Sequence, residues 1–342
     1  MGRSMTRGAA RGLVLAAAAA ALSTAGCGVG GGPKARWGYT PKGTFGNANN
    51  LGTHSYGFGG SEAVGIFYTL RGGSIDMDHV RGTADMSRAT YVKAYETIMR
   101  KGEEFSVSPA WEMTTNRIEV EYPANWDSLG EEEKERIARE SAVIMGPVVA
   151  FYGTLWHEML TWKGTRFLLI EPLHESAFSW DDLYSNAVGA KLSVEALQES
   201  HLDVRAYNEA MTRLIDEEMA RLGMVSKKEA REITRSVKGE WYTGGSLIRR
   251  NMDAGFDDGL ISPSIIPGYT DEAPISIPLF ALDGLEEHGI KVTYTIKSAY
   301  GEARKLKEMA GVNSEVEPVK HLPIILEEIE REAIEKYNYT IR

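Results

Sequence analysis

Residues 141–162 read SAVIMGPVVAFYGTLWHEMLTW, apolar almost all the way round but for two adjacent ionisable residues, His157 and Glu158. A helix that is hydrophobic on every face is a buried helix. A charge buried there costs free energy unless it is paired or ligated. The fold is therefore expected to be organised around this stretch, with the His-Glu pair either held by specific partners or forming a site. Gly146-Pro147 is expected to break or kink the helix. That break and the pair itself also speak against a membrane span.

Working outward, Ser128-x-x-Glu131 matches a capping box that would open the charged run EEEKERIARE leading into the apolar centre. Lys163-Gly164 supplies a basic last turn and a glycine stop. Residues 76–100 keep helical spacing through Val80, Ala84, Tyr91, Tyr95 and Ile98, with Gly102 beyond the end. Ser179-x-x-Asp182 resembles another capped start, for a helix running toward Gln198. Residues 203–222 are amphipathic, with Val204, Tyr207, Met211, Leu214, Ile215 and Leu222 inward, and Ser226-x-x-Glu229 caps a further helix. Two more helices are predicted near 299–310 and 322–336. Residues 63–70 and 291–296 read as short strands, and Arg117-Ile118-Glu119-Val120-Glu121-Tyr122 alternates as an edge strand would. Residues 239–289 carry Gly244-Gly245 and four prolines, so they are expected to be a long loop region. The sum is a mainly α fold, one large helical domain with a few short β-strands over residues 61–342.

The N-terminus reads as a leader. Arg3, Arg7 and Arg11 form a basic region, and 13–22 is an apolar run too short to span a bilayer. Thr24-Ala25-Gly26-Cys27 follows, resembling the lipobox of bacterial lipoproteins, although Thr24 stands where an aliphatic residue is usual. The expected organisation is a signal peptide over 1–26, a lipidated Cys27, and a Gly-rich tether over 27–60. Trp37, Tyr39, Phe45, Tyr56 and Phe58 suggest that the later part of the tether packs onto the body. An ordinary secretory signal with an incidental cysteine is the alternative. Gly28 in place of an aspartate directs the expectation to the outer membrane, facing the periplasm. The expected partner is the membrane, through the anchor on Cys27, with any protein or envelope partner unidentified.

Cys27 is the one cysteine of the chain, so the mature domain has neither a disulfide nor a thiol nucleophile. Three of the 38 basic residues lie in the leader, leaving 35 against 48 acidic ones, a mature net charge near −13. That balance argues against nucleic-acid binding.

Chemistry-bearing residues fall in three places. His157-Glu158 resembles a zincin helix, but Thr161 stands where the second histidine would, so the protease signature fails. Residues 76–85 place Asp76, His79 and Thr83 on one helical face, and Asp78, Arg81 and Asp85 on another, where the arginine could be bridged by both carboxylates. A carboxylate and an imidazole one turn apart can share a metal, or the carboxylate can orient the ring. Together Asp76, His79, His157 and Glu158 have the composition of a mononuclear site for a divalent metal such as zinc. His79, His157 and Glu158 could equally perform acid–base catalysis. The plain alternative is a helix start at Asp76 and a core ion pair at Glu158. Asp182, Ser185 and Asn186 share a face with Gly189, either binding a ligand or forming a polar helix–helix seam. Glu171 and His174 have the spacing of di-iron helices, but Pro172 disfavours the helix. There is no Gly-x-Ser-x-Gly elbow and no phosphate loop.

Tyr68-Thr69-Leu70-Arg71-Gly72-Gly73-Ser74-Ile75-Asp76, followed by His79-Val80-Arg81 and Thr83-Ala84-Asp85, resembles a bacterial lipoprotein family catalogued as domain of unknown function 4056. Trp156-His157-Glu158 with Thr161-Trp162, and Ser176-Ala177-Phe178-Ser179 with Asp182-Leu183-Tyr184-Ser185-Asn186, fit the same pattern. Leu70 departs from it, standing where the family's cysteine would be. The resemblance implies an envelope location and the grouping of these motifs; it carries no reaction. The expectation is an envelope lipoprotein that is either a metal-dependent or acid–base hydrolase of an envelope component, or a non-catalytic binding or scaffold module.

Overall fold

Three helices make the centre: α1 (Met77–Met99), α2 (Glu131–Trp162) and α3 (Asp182–Ser200), with α1 packed along both others. The computed structural model describes residues 45–57, 61–109, 113–164, 166–167, 171–172, 176–244 and 246–341. The expected leader, Cys27, Trp37, Tyr39, Phe58 and His174 lie outside them. Helices outweigh strands, giving a mainly α architecture. Among the described residues no helix is long and apolar enough to cross a membrane.

Helix α2 contains the whole 141–162 stretch and runs without interruption through Pro147, contrary to the expected break. Proline removes one i→i−4 hydrogen bond and crowds the preceding turn. Here the flanking turns are buried against α1 and α3, with Met145, Val148, Val149, Phe151 and Tyr152 in the core. Packing outweighs the local defect. The capping box expected at Ser128 is also not formed: Gly130 is the N-cap, and the Ser128 hydroxyl donates to the Asn125 carbonyl at 2.7 Å. The first turn instead carries Glu131, Glu132 and Glu133, which suit the positive end of the helix dipole.

Helix α1 starts where its sequence predicts, with the Asp76 carboxylate accepting the Asp78 N–H at 2.8 Å. It is delivered by an antiparallel hairpin, β1 (Ile66–Thr69) and β2 (Gly73–Asp76). Two glycines set how closely the other helices approach it. A Cβ on Gly146 of α2 would sit 2.9 Å from the Ser87 carbonyl oxygen, and one on Gly189 of α3 only 2.1 Å from that of Val80.

The third side of α1 is covered by residues 45–57, where Phe45, Leu51 and His54 are buried. Residues 45–57, the later part of the expected tether, thus pack onto the body, as Phe45 and Tyr56 suggest. This segment also reaches the guanidinium of Arg81. Its Nη2 donates to the Leu51 carbonyl at 2.7 Å and its Nη1 lies 3.6 Å from Glu62. Asp85 meets His54 Nε2 at 3.2 Å and accepts the Gly57 N–H at 2.8 Å.

Helices α4 (Val204–Arg221) and α5 (Lys227–Ser236) follow, capped by Asp203 and by a Ser226–Glu229 capping box. Val204, expected to face inward, is exposed in the first turn, while Tyr207, Met211, Leu214 and Ile215 are buried. The small sheet comprises β3 (Glu104–Val107), β4 (Thr114–Glu121) and β5 (Lys291–Ser298), with β4 in the middle. The expected edge strand is thus central, because β5, from far along the chain, pairs along its whole length. Helices α6 (Gly301–Met309) and α7 (Pro318–Tyr337) complete the order. The region 239–289 is largely irregular, with two-residue ladders and one 3₁₀ turn.

The seam at Gly189 gives a direct test. Gly189→Ala forces a methyl into the Val80 backbone and should cost about 1–3 kcal/mol, as overpacking generally does. Gly301→Ala, inside the helix Gly301–Met309 with nothing within 4 Å, should instead be neutral or stabilising by up to about 1 kcal/mol. Denaturant midpoints measured side by side check both.

Candidate functional site

The end of the hairpin, the first turn of α1, the last turns of α2 and the start of α3 meet at one place. Each contributes an ionisable side chain there: Asp76 and His79 from α1 and its cap, Glu158 from α2, Asp182 from α3. Ligand atoms of His79, Glu158 and Asp182 all lie within 4.8 Å of one another. Glu158 and Asp182 are buried, whereas the His79 side chain is one-third exposed and gives the cluster its opening to solvent. His79 Nδ1 is 3.4 Å from Asp182 Oδ1, and this buried nitrogen has no hydrogen-bond partner.

The converging group differs from the expected quartet of Asp76, His79, His157 and Glu158. Asp182, expected only to position a ligand, stands with His79 and Glu158. Asp76 spends one oxygen on capping α1, although its charge still acts on His79. His157 is half-buried, on a different face of α2 from Glu158, because adjacent helical residues point about 100° apart. Its charge reaches Glu158 without its ring joining the cluster. Ser185 and Asn186 belong to the seam between α1 and α3. The Ser185 hydroxyl accepts the Asp76 N–H at 2.9 Å, and Asn186 Oδ1 accepts the Thr83 hydroxyl at 2.8 Å.

Three neighbours were given no role of their own from the sequence. Asp181 is buried, and its carboxylate accepts the Ser179 hydroxyl at 2.6 Å. The Ser179 N–H and hydroxyl also hold Asp182, at 2.6 and 3.0 Å. The Asp181-Asp182 doublet after a serine was the signal available for it. Phe178 donates its N–H to Glu158 Oε2 at 3.1 Å, and Arg250 Nη1 donates to the Ala177 carbonyl at 2.7 Å. Neither contact has a sequence signature, since both join segments distant along the chain.

The electrostatics follow from burial and crowding. Burial and the neighbouring Asp182 charge push the Glu158 carboxyl up to about 7, against the pull of His157 and His79. Burial raises Asp76 to about 6, opposed by His79. Asp181 is raised well above the usual carboxylate range, by burial and then by Asp182 and Asp76. Burial alone would lower His79, but the charges of Asp76, Asp182, Glu158 and Asp181 raise it to about 9. The site gathers more negative charge than one imidazolium balances. A divalent cation bound by one imidazole and two carboxylates would relieve that excess, and the donor set suits zinc, manganese or iron. Metal would then displace protons from these groups.

A groove of about 660 Å³ lined by Tyr91, Arg139, Glu140 and His288 lies further along α1 and includes none of these residues.

A family described as "Protein of unknown function (DUF4056)" matches residues 42–250, more than half of the chain, and the chain belongs to that family. No curated protein and no solved structure matches it. The matched span holds Asp76, His79, His157, Glu158, Asp182 and Arg250.

Without metal, the cluster should make the protein less stable as pH rises. Asp76 and Glu158 have folded values above their unfolded ones, so the folded state holds extra protons between about pH 4 and 7 and loses that advantage across the window. His79 adds stability that is fully present below about pH 6.5 and is lost as pH passes 9. In chelator at pH 8, Glu158→Gln should therefore melt higher than the parent, by about 1–3 kcal/mol in stability. An equal or lower melting temperature contradicts the charge excess.

Proposed function

We propose that this member of the DUF4056 family is a lipid-anchored envelope protein whose helical body binds a divalent cation, with zinc the first candidate, and uses it to hydrolyse an envelope component. The observation that carries the reading is the convergence of His79, Glu158 and Asp182 ligand atoms within 4.8 Å at a partly open, over-acidic place. Three protein ligands leave a position for water, the arrangement of catalytic rather than structural sites. A cation there would lower the pKa of that water. Asp76, raised to about 6 beside His79, is suited to proton transfer near neutral pH. His157, next to Glu158, would tune its charge from the outer side.

The anchor is part of the same proposal. It rests on Arg3, Arg7, Arg11, the 13–22 apolar run and Cys27, with the helical body, residues 45–57 included, as one domain beyond the tether. Export to the outer membrane, facing the periplasm, follows from Gly28 after the cysteine.

One observation favours the alternative of a non-catalytic binding or scaffold module. Ser185 and Asn186 are spent between helices, and Glu158 already accepts a backbone N–H. A buried hydrogen-bonded network would use the same residues in the same way.

Zinc titration of the detergent-purified full chain separates the two. Binding with proton release is expected, and His79→Ala or Asp182→Asn should weaken it by more than the roughly 10–100-fold that a supporting residue costs. A chain that takes up no zinc, manganese or iron sinks the metal reading. Zinc binding without any chelator-sensitive release of fragments from purified envelopes favours the binding module. For the anchor, Cys27→Ser should move the protein out of the membrane fraction; continued sedimentation with membranes contradicts lipidation at Cys27.

A further inference from the structure

The helix face that carries Glu158 is met twice by a single residue from another segment. The Phe178 N–H donates to Glu158 Oε2 at 3.1 Å. Trp162 lies four residues on, on the same face of α2, and the Phe178 ring packs against it with centroids 6.3 Å apart. Amide and ring together dock this turn on the helix face that presents the ligand carboxylate.

The turn does not hold itself. Phe178 has φ +54°, a left-handed backbone that disfavours any residue carrying a Cβ and persists only where the surroundings impose it. Those surroundings come from a distant segment. Arg250 Nη1 donates to the Ala177 carbonyl at 2.7 Å, and the Asn251 N–H donates to the Phe178 carbonyl at 3.2 Å. The two carbonyls of the strained turn are thereby both held by this distant segment. Arg250 is wholly buried, its guanidinium 4.6 Å over the Tyr339 ring. Arg249–Arg250 pairs in parallel with Thr340–Ile341, and Tyr339 packs against Trp162 at 6.1 Å. The contacts form a closed circuit: α2, the C-terminal segment, Arg250, the turn, and back to α2 at Glu158.

We infer that Arg250 is a positioning residue for the candidate centre, holding the left-handed turn whose Phe178 amide aims Glu158 at His79 and Asp182. The inference rests on the cation reading proposed above. Its physical content is geometric. A buried carboxylate with one fixed amide donor loses rotamer freedom and keeps one oxygen engaged, which leaves the other for a cation. Donors that orient a ligand in this way typically govern about 10–100-fold of metal affinity.

The test measures zinc affinity by chelator competition on the full chain, with the melting temperature of the metal-free protein recorded in parallel. Arg250→Met should weaken zinc binding about tenfold or more, and Arg250→Lys, which can still donate to the Ala177 carbonyl, should recover most of the loss. Phe178→Gly is the second variant. It tolerates φ +54° and keeps the N–H, so it guards against a failure of Arg250→Met to fold. It too should bind zinc more weakly, because the turn loses its anchor on Trp162. Zinc affinity equal to the parent in folded Arg250→Met or Phe178→Gly, with only the melting temperature lowered, overturns the positioning role alone. A parent chain that binds no zinc overturns the cation reading and this inference with it.

Discussion

A helix buried on every side must find a partner for each polar group it carries, and α1 is such a helix. Asp78, Arg81, Thr83, Asp85, Ser87 and Arg88 are all buried along it, beside Val80, Ala84, Tyr91 and Ile98. The rest of the architecture supplies partners to Arg81, Thr83, Asp85 and Arg88, while Ser87 donates to the Thr83 carbonyl of its own helix. Residues 45–57 bring the Leu51 carbonyl to Arg81 and His54 to Asp85. Helix α3 brings Asn186 to Thr83, and the chain beyond α3 offers the His201 and Leu202 carbonyls to Arg88. Unpaired, each of these groups would cost about 1–3 kcal/mol or more. The fold is in this sense a set of answers to one polar helix.

The same constraint explains why the candidate centre sits at the helix start. Asp76 must cap α1, His79 lies one turn later, and the close contact at Gly189 brings α3, with Asp182 at its first turn, onto that turn. Glu158 arrives because α2 continues through Pro147 instead of stopping there. Four carboxyl groups around one imidazole are a poor arrangement for stability: the raised values of Asp76, Glu158 and Asp181 record how far burial resists ionisation. Such strain is usual where a group is kept for chemistry rather than for packing.

Support for the centre is spread widely along the chain. The matched family span ends at Arg250, yet that side chain is seated by Tyr339 and by a ladder with Thr340–Ile341. Trp162, Tyr337 and Tyr339 pack together at the base of α2, so the C-terminal segment is built into the wall behind Glu158.

Much of this was legible in the amino-acid order. Helical periodicity with good punctuation placed α1, α4 and α5 within a residue or two, because local spacing and caps are local physics. The apolar run at 141–162 announced a buried central helix, and its two ionisable residues announced a place that needed partners. The sequence also singled out His79, Glu158 and Asp182, though with different roles. Tertiary structure decided the rest. Pro147 stays inside α2 because the packed turns around it outweigh one lost hydrogen bond. Strand β4 is central because β5 pairs with it from the far end of the chain. Asp182, rather than His157, meets His79 and Glu158, because a helix fixes the direction of each side chain, while only the close approach at Gly189 determines which directions converge.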